Sequence, residues 1–281
     1  MRPSRVLTFA RYEVRRAIAR KKVLAVVALT ILLDTVPYYA LAGAGLSLIP
    51  APLHPYLWVV GVFVPQAFFL QFIALLIAAG SMSEEYEQGT AEVMLSKPVG
   101  RREYFFGKYL GGYSLLVLVI VLNVVLSVSS ATYVFGPQLG LGILPFILLV
   151  QAFSSLVFFS FSFMVGELIR RSSLSYILSS AVFFTSQIVG IYLSIVSELT
   201  GQTSFRVASF FLPTSPVDSL PLLLAEPNFP GLVGTLLRLG GVGAVETSVW
   251  FSAALIATYS AAAVMVAVAY FGRVDIAKRI T

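Results

Sequence analysis

Of the chain's 281 residues, 58% are hydrophobic and only 11% are charged, where a soluble domain carries about a quarter of its residues as charges. That balance leaves too little polar chain for even one soluble domain, and the net charge of +6 does not point to nucleic acid, because the cations cluster at particular ends and loops. With no cysteine and a single histidine (His54), disulfides, thiolate-bound metal and a multi-histidine site are all excluded.

Residues 1–22 hold eight basic residues. Val6, Phe9, Ala10, Val14, Ala17 and Ile18 recur near helical spacing, which predicts an apolar stripe opposite a cationic face. Such a helix lies in the plane of the lipid headgroups. The rival reading, a nucleic-acid-binding arm, is set aside because both the stripe and the adjoining apolar run favour the lipid surface.

Six runs follow that are long enough to cross hydrocarbon: 23–43, 58–80, 110–134, 143–166, 174–197 and 248–272. The fold class is therefore an all-α membrane protein with six transmembrane helices. The first run has the alternative reading of a signal peptide, since Ala40-Leu41-Ala42 resembles a cleavage site after a basic stretch; Asp34 and Pro37 oppose it. Besides the first eight, four basic residues fall in 81–109, two in 167–173 and three in 273–281. Only Arg206 and Arg238 fall in 198–247, and segments 44–57 and 135–142 have none. Positive residues stay inside, so both termini and segment 81–109 are expected to be cytoplasmic, in a cell (plasma) membrane.

Segment 198–247 contains five prolines and apolar pieces too short to span, which predicts short helices at the outer interface or capping the bundle. In the sixth run Ala253, Ala257 and Ala261 form a small-residue stripe that permits close helix approach. Gly107 and Gly111 share that spacing at a membrane entry, where it is a weaker signal.

The most polar part of the chain is Glu84–Lys108, with nine charged residues wedged between two apolar runs. Ionised groups cost several kcal/mol each in hydrocarbon, so this loop lies in water at a membrane face, where a partner can meet it. Ser81 and Glu84 have the spacing of a capping box, Thr90 is placed to cap a second helical turn, and Pro98 ends that turn near Ser96. Gly100 lets the chain reverse before Arg101-Arg102. Glu84 and Glu87 share a face while Glu85 points aside.

The pattern formed by Glu87, Gly89, Thr90, Glu92, Leu95, Ser96, Pro98, Val99, Arg101, Gly107 and Lys108 resembles the cytoplasmic segment of type-2, export-class ATP-binding-cassette permeases; Met94 stands where that family often has leucine. The resemblance implies a coupling helix resting on a separate ATPase, contacted through Glu84, Glu85, Glu87, Gly89, Thr90, Glu92, Leu95, Pro98, Arg101 and Arg102, with Glu87 buried against it. It also implies a smaller contact through Arg170 and Arg171, although those two residues read equally as a positive-inside anchor. Two ATPase copies, a second permease copy (a homodimer) and membrane lipid are the partners implied, with no nucleic acid. No cofactor is expected in this chain; ATP and Mg2+ belong on the ATPase.

No G-x-x-x-x-G-K-[ST] phosphate loop, H-E-x-x-H or G-x-S-x-G occurs in the chain. Asp34, the acid well inside a run, is a candidate for a polar path or for a bond to a neighbouring helix. Gln66, Gln71, Asn123 and Gln187, like Gln151, are candidates for the substrate path or for helix-to-helix hydrogen bonds. An intramembrane enzyme acting on lipid and an ion-driven carrier working alone are the rival functions. The missing catalytic constellation disfavours the first, and the scarcity of intramembrane charge disfavours the second.

Overall fold

The computed structural model describes residues 3–18, 21–44, 49–96, 100–229 and 247–273, and among them every regular element is helical. Helix α1 (Pro3–Ile18) leads into α2 (Lys21–Ala44). Helix α3 runs from Trp58 to Glu87 through a π-helical turn at Gln66–Leu70. The short α4 (Thr90–Leu95) precedes α5 (Arg101–Phe135), α6 (Leu144–Ile169) and α7 (Ser172–Thr200). A pair bent by 89°, α8 (Thr203–Phe210) and α9 (Thr214–Ala225), leads on to α10 (Val249–Arg273). Helices α2, α3, α5, α6, α7 and α10 are each long and apolar enough to cross a bilayer. They coincide with the six runs read from the sequence.

Helices α3 and α6 form the centre. The first packs on α5, α6 and α7, and the second also on α9 and α10, while α1 and α2 lie against α5. One buried cluster joins Ile73, Ala78 and Met82 of α3 to Tyr104 and Phe105 of α5, Phe163 of α6 and Phe271 of α10. Lipid tails are as apolar as leucine, so close packing has to hold such helices together. At Gly166 the α3–α6 seam depends on the missing side chain, because a Cβ there would lie 2.6 Å from the Ala79 carbonyl oxygen.

The π turn in α3 has a visible cause. Pro65 has no N–H to give the Gly61 carbonyl four residues back, and the backbone N–H of Gln66 bonds Phe63 instead of Val62. Backbone groups released in hydrocarbon must find other partners. Asn123 Nδ2 of α5 reaches the Gly61 oxygen at 3.4 Å, and Gln151 Nε2 of α6 reaches that of Val62 at 3.0 Å. One turn on, the N–H of Gln71 bonds Phe68, and Gln187 Nε2 of α7 donates to the Ala67 carbonyl at 3.1 Å. Three amides that stand out in the sequence thus satisfy the carbonyls of one broken helix.

Several local expectations are corrected. The stripe on α1 faces protein, with Val6 and Ala10 buried where α1 crosses Gly107 and Gly111 of α5. A Cβ at Gly111 would come within 2.8 Å of the Ala10 carbonyl oxygen. The weaker glycine signal therefore marks a real seam. Of the alanine stripe of α10, Ala253 packs on a core cluster, while Ala257 and Ala261 are exposed. In the outer segment α8 is partly exposed, but α9 enters the bundle: Val217, Leu220 and Ala225 are buried, and α9 packs on α6, α7 and α10. Ser81 and Glu84 start no helix, because α3 continues through them to Glu87. His54 is half-buried, its ring bonded to the Ile49 carbonyl at 3.1 Å.

Candidate functional site

The polar end of α3 and its connection to α5 form the candidate site. Gly89 breaks the helix with a left-handed φ of 67°, a conformation that costs glycine nothing. It, rather than Thr90, occupies the cap position of α4. On this short helix Ala91 is buried, and Met94 and Leu95 pack on the core cluster. Glu92 is exposed, as is Val93 at 61%. The helix ends at Leu95 as expected, while Pro98 lies outside the described residues. Gly100 then caps α5 with an ordinary negative φ, so its reversal needs no glycine, and its N–H donates to Glu103 Oε2 at 3.4 Å.

Behind this connection lies a buried ion cluster. Lys108 of α5 pairs with both Glu13 of α1 and Glu85 of α3. Arg16 of α1 also pairs with Glu85, and Tyr104 donates its hydroxyl to the same carboxylate. Ser81 donates to Glu13 at 3.4 Å. Glu13, Glu85 and Lys108 are each at most 3% exposed. Taking an ion out of water costs several kcal/mol, which is recovered only with good pairing and further hydrogen bonds. Among the described residues two carboxylates here meet two cations, which balances their charges, and α1, α3 and α5 are tied at one point. Glu85 thus turns to α1 and α5, aside from the face that Glu84 and Glu87 share, as their spacing predicts.

The neighbouring acids are tied as well. Glu84 accepts a hydrogen bond from Tyr176 of α7 at 2.8 Å. Glu87 is exposed and accepts from the backbone N–H of Ser172 at 2.8 Å and from its hydroxyl, satisfying otherwise open donors at the start of α7. Tyr86 donates to the fully buried Glu167 of α6 at 2.8 Å. The Arg170 guanidinium sits 3.6 Å from that carboxylate and 4.6 Å above the Tyr86 ring centre, a cation–π contact. These contacts hold Arg170 in a left-handed backbone conformation, φ 58°, that is uncommon for a residue with a side chain. Arg170 therefore turns inward, whereas Arg171 is exposed. Of the expected contact residues, Glu87, Glu92, Arg101, Arg102 and Arg171 are exposed, whereas Glu84, Glu85 and Arg170 are turned into the chain.

The residues considered for a path lie apart from this site. Asp34 of α2 is buried and accepts from Asn123 Nδ2 at 2.6 Å, which is the arrangement of the helix-bonding alternative. Gln71 donates to Ser155 of α6 at 3.3 Å. Gln66, buried at the π turn, has no hydrogen-bond partner for either amide atom among the described residues.

Sequence reasoning missed Glu13, Tyr86, Glu167 and Val93. A signal existed for Glu13, an acid interrupting the apolar stripe of α1, and none for its partner 95 residues away. A family profile described as ABC-2 family transporter protein matches residues 7–276 of the chain. A search of curated proteins finds no match.

Proposed function

The chain belongs to the ABC-2 transporter family, whose members are membrane components that normally lack ATPase motifs, and on that premise we propose that it is the permease subunit of an ATP-binding-cassette exporter. Two copies form the translocation path, and each meets one copy of a separate ATPase that holds ATP and Mg2+. The observation that carries this reading is α4: a short helix whose apolar Val93 and acidic Glu92 face outward. Its root is wired to α1, α5, α6 and α7 through Glu85, Glu84, Tyr86 and Glu87. A displacement of α4 by an ATPase that changes shape is therefore passed to four helices at once. A ligand moves such an equilibrium only through its different affinity for the two states; here ATP acts through the partner.

The test is Val93→Asp, measured by recovery of the ATPase with the affinity-tagged chain from native membranes. A charge in place of a central apolar anchor is expected to reduce recovery about tenfold or more. Recovery equal to that of the unmodified chain would remove α4 from the interface.

In this reading α4 and both termini are cytoplasmic. The chain is free of cysteine, so single cysteines report sidedness, and Ser96 and Ser204 are both exposed. A reagent that cannot cross membranes, added to intact cells, is expected to modify Ser204→Cys and spare Ser96→Cys. The opposite pattern reverses the orientation.

A further inference from the structure

At the end of the bundle that carries α4, the start of α5 and the end of α10 enclose a cavity of about 250 Å³. Its mouth is set by Arg101 and Arg102 of α5 and Arg273 of α10, all exposed. Its floor is apolar: Phe105 and Phe271 are buried with ring centres 5.6 Å apart, and Phe106 and Val268 line the side. From Arg101 to Phe105 is about one helical turn. Cations thus sit at one level and aromatic and aliphatic groups at the next level inward, the order in which a bilayer presents headgroup and hydrocarbon.

Arginines at a span end need no ligand to account for them, since they anchor the membrane orientation. A cavity with an apolar floor beneath them is a different matter. Guanidinium groups bind phosphate through two parallel hydrogen bonds, and the first turn of a helix, here α5, also favours an anion. The nearby Glu103 is engaged with Gly100 and does not line the cavity. A free phosphate would use the arginines and leave the floor empty, whereas a phospholipid uses both. Basic pockets between membrane helices hold anionic headgroups in this way.

We infer that the cleft between the α5 start and the α10 end binds one anionic phospholipid, its phosphate on Arg102 and Arg273 and its acyl chains along Phe106 and Val268. The inference rests on this end lying at headgroup level, as in the proposed function, but not on any ATPase contact, so its failure leaves the Val93 result untouched.

The test uses the full chain in nanodiscs of equal parts phosphatidylcholine and phosphatidylglycerol, released in a mass spectrometer so that retained lipids are counted. The unmodified chain is expected to retain phosphatidylglycerol in preference to phosphatidylcholine. Arg102→Gln with Arg273→Gln is expected to lower that retention roughly twenty-fivefold, about fivefold for each cation removed. Val268→Trp, which fills the floor and leaves every arginine in place, is expected to lower it as well. Arg11→Gln with Arg15→Gln, which removes exposed cations of α1, is expected to leave it unchanged. Retention that survives either cleft variant overturns the site. Equal loss in the α1 variant makes the attraction a diffuse one and also overturns it. Release of phosphatidylglycerol by millimolar inorganic phosphate identifies a soluble-anion site instead of a lipid site.

Discussion

Lys108→Met is expected to destabilise the protein by about 3–5 kcal/mol, the cost of removing one partner from a buried ion pair. The loss does not come from the pairing energy alone. Without Lys108, Glu13 and Glu85 are left buried with, among the described residues, Arg16 as the remaining cation, which is partly exposed and so screened by water. A methionine of similar length fills the space, so packing is nearly conserved and the charge effect is isolated. Thermal unfolding in detergent, followed by loss of the monodisperse species, measures it. The double variant Lys108→Met with Glu13→Gln restores charge balance and is expected to recover part of the stability, because residues sharing one network are not additive. A single variant that melts with the unmodified protein would show that the cluster is solvated and that the α1 tie contributes little.

Gly166→Leu is expected to disrupt the α3–α6 seam. Overpacking a tight site costs typically about 1–3 kcal/mol and occasionally more. This site belongs at the upper end, because the first obstacle is the Ala79 carbonyl oxygen at 2.6 Å, and backbone cannot rotate away as a side chain can. The two helices must separate, and with them Tyr86 and Glu167, whose hydrogen bond spans the same seam. The expected result is little folded protein in the membrane fraction and a lowered melting temperature in what remains. Gly43→Leu is the control, since a Cβ at Gly43 meets nothing within 4 Å among the described residues. If both variants express and melt alike, the close approach at Gly166 is not required.

The two substitutions probe different physics at one end of the bundle. Lys108 tests whether polar contacts fix α1 to α5 and α3; Gly166 tests whether shape fixes α3 to α6. Both bear on the proposed role of α4, because a helix that is to transmit motion has to be joined firmly at its root. Glu87, expected from the family pattern to meet the ATPase, is exposed and holds the start of α7. Its replacement therefore acts on the joint between α3 and α7 within this chain as well as on any partner.

What the sequence by itself determined is whatever depends on composition and short spacing. Six runs of apolar residues read as six spans because hydrocarbon thickness sets a length that any sequence must meet. A second helical turn near Thr90 and its end near Ser96 were legible for the same local reason. What only the tertiary structure decided is which polar residues meet. Glu13, Glu85 and Lys108 lie on three helices, and their convergence depends on how those helices are rotated and how closely Gly107 and Gly111 let α1 approach. Likewise Asn123, Gln151 and Gln187 stood out as amides at membrane depth, but their partners are carbonyls freed by Pro65 and the π turn of α3. The periodicity of a single helix gives its faces; the register between helices, which side-chain packing fixes, turns a row of acids into a buried cluster.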